Sequence, residues 1–275
     1  MSVKGPSPSR QGARLSALQW AGALWLSVTA LGQAAFVGFI LVFYGVRTVS
    51  GNLAGWNDKP LIQGYVEGDD AGNFTFAVHV LLASVVTLCG LVQLAPAVRR
   101  RWPRLHRWSG RLFLTNAVVM ALSGAWLVVV RGAYLSAASG AAILGNGLLI
   151  LIFAIQAWRH AAGGRFERHR IWAMRAFMVV SGVWFLRVGL MGWVIVNQRP
   201  LGMTNDMSGP ADVVLNFGSY LIPLAILELY ALAQRRDDPA LKAAMAAAVV
   251  GLSAFMGIGI LGTITVMWGP YVLKS

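Results

Sequence analysis

Seven long apolar runs constrain this chain more than any other feature of its sequence. Each reaches the roughly 20 residues that a helix needs to cross about 30 Å of hydrocarbon. The runs are continuous, whereas a strand of a membrane β-barrel alternates apolar and polar residues. The sequence therefore predicts an all-α, polytopic transmembrane helix bundle, with residues 1–275 forming a single integral membrane domain. The seven predicted helices cover residues 18–46, 74–98, 110–131, 139–159, 172–196, 211–233 and 243–268.

The composition agrees with a membrane protein and excludes several soluble classes. Hydrophobic residues make up 57% of the 275 residues and charged residues only 12%, against about 25% charged residues in soluble proteins. One cysteine, Cys89, excludes a disulfide framework and a cysteine metal cluster. The sequence contains no motif of a soluble enzyme. The GxGxxG string that begins at Gly257 is not a dinucleotide-binding motif, because it lies inside an apolar run with no strand before it. These observations leave open whether the protein is an enzyme.

The start of the chain resembles a secretory signal but is too long to be one. Its polar first residues carry Lys4, Arg10 and Arg14, as the n-region of a signal peptide does. The apolar stretch that follows extends from about Ala17 to Gly45, beyond the about 7–15 residues of a signal h-region. We therefore expect residues 1–16 to be a polar tail that leads into an uncleaved first transmembrane helix.

The positive charge of the chain is distributed unevenly between the two sets of loops. Of the 23 Lys and Arg residues that give the net charge of +13, 16 lie in one set of segments and only five in the other. The positive-inside rule assigns the richer set to the cytoplasm, so the surplus orients the protein and does not indicate nucleic-acid binding. This predicts a cytoplasmic N-terminus, an external C-terminus and anionic lipid at the cytoplasmic side. Residues 47–73 would form the largest external segment, a cap or a mobile loop.

Two segments of the chain repeat one pattern. His106-Arg107-Trp108 followed by Arg111 opens the third predicted helix, and His169-Arg170 followed by Trp172 and Arg175 opens the fifth. Both segments follow a short basic loop. Helices 2–3 and 4–5 are therefore predicted to be two copies of one hairpin, which together form a four-helix unit over residues 74–196. The first, sixth and seventh helices would then be accessory.

The same segments carry a resemblance to a known family. FAVHVLLASVVTLCGLVQL, the basic turn RRRWPRLHRWSGRLF, and HRIWAMRAF followed by WFLR together resemble the bacterial predicted membrane proteins grouped as domain of unknown function 2306. The resemblance covers about residues 74–195. It implies a polytopic inner-membrane protein and no established reaction. The positions that match the recurrent pattern are His79, His106, Arg111, His169, Arg175 and Arg187.

Several polar side chains fall inside the predicted helices, where they must face the bundle or water. His79 lies about 9 Å below the outer end of the second helix, and Arg187 is expected at a similar depth in the fifth. Arg175 and Glu228 are both about one and a half turns from the cytoplasmic boundary, so we predict an ion pair between them. That pair would lock two helices together, unless it serves catalysis or transport.

His106 and His169 occupy equivalent places in the two repeats. Two imidazoles from facing helices are what the iron of a b-type haem needs. They would equally suit another first-row metal, a quinone site or a proton relay. In the alternative structural interpretation, each histidine starts a helix and binds phospholipid head groups together with Arg107 and Arg170. His160, in the second basic turn, is interpreted as a solvated residue of the interface.

Three hypotheses of function follow from these residues. The first is a redox protein that binds b-type haem or quinone through the six family positions. The second is a transporter of a small solute, and the positive charge of Arg187 favours an anionic solute. The third is a non-enzymatic membrane scaffold or lipid-binding subunit, suggested by the arginine-rich inner face. A homo-oligomer is compatible with each of them.

Overall fold

The computed structural model describes residues 15–59 and 62–273, and these residues form helices and no β-strand. The all-α prediction is confirmed. Between the first two long helices a short 3-10 helix covers Leu53–Asp58. In chain order the helices are α1 (Ala17–Val49), α2 (Asp70–Leu94), α3 (Pro96–Arg101), α4 (Pro103–Val129), α5 (Ala137–Ala162), α6 (Phe166–Val180), α7 (Gly182–Asn197), α8 (Pro210–Arg235) and α9 (Pro239–Val272).

Six of these helices are each long and apolar enough to cross a membrane, namely α1, α2, α4, α5, α8 and α9. The pair α6–α7 passes the same test when it is taken as one span, bent by 51°. The described residues thus contain six candidate spans, or seven with the bent pair, which agrees with the apolar runs of the sequence. The bundle has a basic end, where segments 95–104, 159–168 and 235–239 lie, and a loop end, where 50–59, 62–69, 130–136 and 198–209 lie.

The bend between α6 and α7 differs from the continuous helix that the sequence predicts over residues 172–196. Ser181 leaves helical geometry with ψ of −1°, and its hydroxyl accepts a hydrogen bond from Gln33 Nε2 at 2.9 Å. Gly182 packs so tightly on α5 that a Cβ would lie 2.9 Å from Asn146 Nδ2. A Ser-Gly pair held in this way is a known cause of helix kinks, and it gives α7 a different direction from α6.

The second helix also ends earlier than predicted. It stops at Leu94 instead of continuing to residue 98, because Pro96 disfavours helical geometry at Ala95, which adopts ψ of 107°. Pro96 and Pro103 then begin two new helices, each as the first helical residue, where a missing N–H costs nothing. The short helix α3 consequently holds its three arginines beside the start of α4.

The helices pack in a chain of neighbours around two main cores. α2 packs on α4, α4 on α5 and α5 on α6, while the duplicated four-helix unit itself stays a prediction. α1 packs on α9, which in turn packs on α7. Gly259 permits this last contact, because a Cβ at that position would collide with the carbonyl oxygen of Val188. One core lies among α2, α4, α5 and α6, and the other among α1, α7 and α9.

The segment before α2 is an ordered cap in its described part. The amide of Asn57 donates to the carbonyl of Tyr65 at 2.8 Å, and Trp56 is only 2% exposed. Arg131 donates to the carbonyl oxygen of Gly64 at 3.1 Å and forms an ion pair with Asp69 at 3.1 Å. Of the two predicted forms of this segment, the structure therefore shows the cap.

Candidate functional site

A large cavity opens at the basic end of the bundle, with a volume of about 1840 Å³. Its walls come from helices on both sides of the bundle, and most of its surface is apolar. The charged lining is strongly basic, with seven arginines against two glutamates, Glu167 and Glu228. We call this space the basic-end cavity. The arginines that line it are Arg99, Arg107, Arg111, Arg168, Arg170, Arg175 and Arg235.

His169 lies in the first turns of α6 and on the wall of this cavity. Its Nδ1 is 2.9 Å from the carbonyl oxygen of Ala157 on α5. A carbonyl oxygen only accepts, so Nδ1 carries the hydrogen and donates it. In the neutral ring Nε2 then keeps its lone pair, the arrangement found in histidines that bind metals.

His106 lies just inside the start of α4 and also lines the cavity. Its Nδ1 is buried and has no hydrogen-bond partner among the described residues. Its carbonyl oxygen accepts from Gln93 Nε2 at 2.9 Å, and the same amide donates to Ser109 Oγ at 2.7 Å. Gln93 thereby holds the start of α4 against α2.

The two histidines of the sequence repeat are brought to the same cavity. His169 is close enough to His106 to act on its charge, as is Arg99. Within residues 15–59 and 62–273 no group of three or more His, Cys, Asp or Glu side chains is arranged to hold a metal ion. Two imidazoles are nevertheless the full protein ligand set of a bis-histidine haem, because the porphyrin supplies the other four nitrogen ligands.

The sequence pattern does not reveal that a third histidine belongs to this cavity. It favours a solvated interface residue at position 160, yet His160 lines the cavity, and its Nδ1 is buried without a hydrogen-bond partner among the described residues. It is also within electrostatic reach of His169. His160 lies three residues after Ala157, the contact of His169, and so shares its face of α5.

Arg175 and Glu228 form a two-pronged ion pair across the mouth of the cavity. The distances are 2.6 Å from Nε to Oε1 and 3.0 Å from Nη2 to Oε2. The guanidinium also lies over the ring of Trp172, 4.6 Å from its centroid. The pair joins α6 to α8 and neutralises one of the two cavity glutamates, so the remaining charge of the cavity is positive.

Of the six predicted site positions, four share the basic-end cavity and two do not. Arg111 lines it with its guanidinium 5.1 Å from the centroid of the Trp108 ring, and it joins His106, His169 and Arg175 there. His79 and Arg187 are absent from the lining and lie in the half towards the loop end.

The pair nearer the loop end has its own set of contacts. His79 Nδ1 is 2.8 Å from Ser123 Oγ on α4. Arg187 donates from Nη1 to the carbonyl oxygen of Val183 at 3.0 Å, and its guanidinium lies 5.4 Å from the centroid of the Phe36 ring. The two are close enough for the charge of Arg187 to act on His79. The predicted positions thus form two separate groups.

Comparison with known proteins gives one match. A family model described as predicted membrane protein (DUF2306) matches residues 76–231, which is more than half of the chain. The match includes all six predicted site positions and extends beyond the resemblance seen in the sequence, through most of α8. No curated protein and no solved structure shows significant similarity to the chain.

Proposed function

This chain belongs to the DUF2306 family of predicted membrane proteins, and we propose that it is a redox protein that holds b-type haem in the basic-end cavity. His106 and His169 would be the two axial ligands. The protein would then serve as a one-electron carrier, in which each electron taken from a reduced donor passes on to an oxidised acceptor.

The observation that carries this proposal is the hydrogen bond from His169 Nδ1 to the carbonyl oxygen of Ala157 at 2.9 Å. Of the two neutral tautomers it favours the one that carries its hydrogen on Nδ1 and its lone pair on Nε2, on the wall of a cavity that His106 also lines. Backbone carbonyls orient metal-binding histidines in this way and raise their basicity.

The shape and charge of the cavity support the same ligand. Its volume of about 1840 Å³ is larger than the ~300–1,000 Å³ of common small-molecule sites, so a porphyrin has room. The apolar walls suit the faces of the macrocycle. Arginines such as Arg111 and Arg170 suit its two propionate groups, because a guanidinium can bind a carboxylate with two hydrogen bonds.

A second candidate function is the binding of anionic lipid. The surplus of arginines in a cavity with apolar walls favours it, since a phospholipid has an anionic head and apolar chains. In that case the arginines would carry the affinity and the imidazoles of His106 and His169 would be dispensable. The two functions therefore predict different results for the histidine variants.

The visible absorption spectrum tests the proposal. The full-length protein is purified in mild detergent from cells supplied with haem, and we expect a Soret band with the low-spin pattern of two histidine ligands. His106→Ala and His169→Ala should each lose that pattern. His79→Ala is the matched control, because His79 lies outside the cavity, and it should keep the pattern. A wild-type protein without a Soret band would overturn the haem proposal, and copurified anionic lipid would then favour the second function.

The orientation of the bundle belongs to the same proposal. The concentration of Lys and Arg at the basic end supports a cytoplasmic position for that end in a bacterial inner membrane. The N-terminus would then be cytoplasmic and the C-terminus external. Cysteines introduced at Arg104 and Arg199 test this, since a membrane-impermeant thiol reagent applied to intact spheroplasts should label only position 199. Labelling of position 104 alone would reverse the assignment.

A further inference from the structure

Arg187 is a buried cation in the half of the bundle towards the loop end, and it does not itself line the basic-end cavity, although Val188 and Gly189 beside it do. It lies on α7 between Trp184 and Val188, two residues of the core formed by α1, α7 and α9. Protein surrounds it on all sides, yet its side chain keeps part of its surface accessible. Arg187 thus combines burial among core side chains with a partly accessible side chain.

Two other arginines in this half of the bundle, Arg47 and Arg131, have carboxylate partners. Arg47 forms an ion pair with Asp58 at 3.1 Å, and Arg131 forms one with Asp69, also at 3.1 Å. Among the residues that the structure describes, Arg187 has no carboxylate within 4.0 Å, and Val183 of its own helix accepts its one hydrogen bond. A guanidinium carries five N–H donors, so most of its binding capacity is unused within this part of the chain.

A second cation lies close to Arg187. Lys59 follows the short 3-10 helix of the cap and, within the described residues, forms no ion pair. Burial and the charge of Arg187 lower the pKa of Lys59 to about 8. Two buried cations near each other disfavour one another, and a bound anion would remove that penalty.

Aromatic and polar side chains lie around Arg187. The ring of Phe36 lies under the Arg187 guanidinium at 5.4 Å. Tyr44 is close enough to Arg187 to affect its charge, and its ring meets that of Phe39 edge-on at 5.9 Å. His79 approaches from α2, with Nδ1 held by Ser123. Flat apolar walls beside cations suit a planar ligand that carries a negative charge.

We propose that Arg187, Lys59 and His79 form a binding site for a small organic acid, bound as its carboxylate in the half of the bundle towards the loop end. Arg187 would bind the carboxylate with two hydrogen bonds, and Phe36 and Tyr44 would contact the apolar body of the ligand. Lys59 would add the second charge from the cap. This site is distinct from the basic-end cavity, and it does not rest on haem binding there.

Calorimetric titration of the full-length protein in detergent tests the site with benzoate as the probe. Benzamide is the matched control ligand, since it has the same ring and no charge. We expect benzoate to bind and benzamide not to bind detectably. Arg187→Gln should weaken benzoate binding at least about tenfold, because loss of one partner of a buried charge pair costs several kcal/mol. Arg104→Gln, at the exposed basic turn, should leave binding unchanged.

Two further variants keep the test decisive if Arg187→Gln does not fold. Lys59→Met alters only the cap and should weaken benzoate binding, while Arg187→Lys keeps the charge and should bind more weakly than wild type but more tightly than Arg187→Gln. Three results would each overturn the proposal. The wild-type protein could bind benzoate and benzamide equally, it could fail to bind benzoate, or Lys59→Met and Arg187→Gln could both leave benzoate binding unchanged. The Soret band of the same preparations reports separately on the basic-end cavity.

Discussion

The guanidinium of Arg175 binds the carboxylate of Glu228 with two parallel hydrogen bonds, at 2.6 Å and 3.0 Å, and so joins α6 to α8. The side chains are 25% and 46% exposed. Two-pronged geometry strengthens such a pair, while partial exposure weakens it. The pair is therefore a modest link between two helices whose contact closes one side of the basic-end cavity.

Neutralising either residue of this pair should lower the stability of the protein slightly, and the effects of the two substitutions should not be additive. We expect Glu228→Gln and Arg175→Gln each to cost about 1 kcal/mol of unfolding free energy, and the double variant to cost less than the sum of the two. A double-mutant cycle on unfolding in detergent measures the coupling. Lys242→Gln is the control, because its partner Asp237 is fully exposed, and its effect should be near zero. Strict additivity of the two single variants would contradict the role assigned to the pair.

Two glycines of α9 should respond to alanine in opposite directions. At Gly259 a Cβ would collide with the backbone of Val188, so Gly259→Ala should separate α9 from α7 and destabilise the protein by about 1–3 kcal/mol. At Gly251 a Cβ would meet no atom within 4 Å, so Gly251→Ala should stabilise the helix by about 0.5–1 kcal/mol. Apparent melting temperatures of the two variants measure the difference. A rise for Gly259→Ala would refute the close contact.

Lys59 should make stability depend on pH in the alkaline range. Its pKa falls from 10.5 in the unfolded chain to about 8 in the folded protein. Between these values the unfolded chain binds more protons, so the contribution of Lys59 to stability rises with pH there, and the full penalty applies below about 8. Arg187 is the charged neighbour that adds to the penalty of burial.

The measurement compares apparent melting temperatures of the wild-type protein and Lys59→Met from pH 7 to pH 10. The variant should be more stable at pH 7, and the difference should shrink as the pH increases. Groups common to both proteins cancel in this difference. A constant difference across the range would mean that Lys59 titrates normally in the folded protein.

Arg131 should hold the cap at the loop end. It forms an ion pair with Asp69, donates to the carbonyl oxygens of Gly64 and Gly72 at 3.1 Å, and donates to Asn73 Oδ1 at 2.9 Å. Its side chain is only 8% exposed. Arg131→Met should therefore destabilise the protein by about 3–5 kcal/mol, because several buried acceptors lose their donor.

Limited proteolysis gives the local readout for this variant. Cleavage within residues 50–69 should become faster in Arg131→Met, because the cap loses its attachment to α4. Arg199→Met, at an exposed position of another loop, should leave that cleavage rate unchanged. Equal protection of the cap in both variants would show that Arg131 does not hold it.

The sequence was informative about features that depend only on position along a helix. Depth along a helix follows from counting residues at 1.5 Å each, and matched depths led to the prediction that Arg175 and Glu228 pair. The repeated His-Arg pattern led to His106 and His169. His160 and Gln93 were not recognised, because their roles depend on which face of a helix meets which neighbour, and one helix alone does not determine that.

The sequence by itself determined the all-helical class, the membrane spans and the uneven distribution of charge between the two ends. The physical reason is that a chain in lipid must satisfy its backbone hydrogen bonds within each long apolar segment, so each segment becomes a helix. Only the tertiary structure decided that α6 and α7 bend at Ser181, and that His106, Arg111, His169 and Arg175 line one cavity. Both depend on side-chain contacts between segments far apart in the chain, such as Gln33 with Ser181.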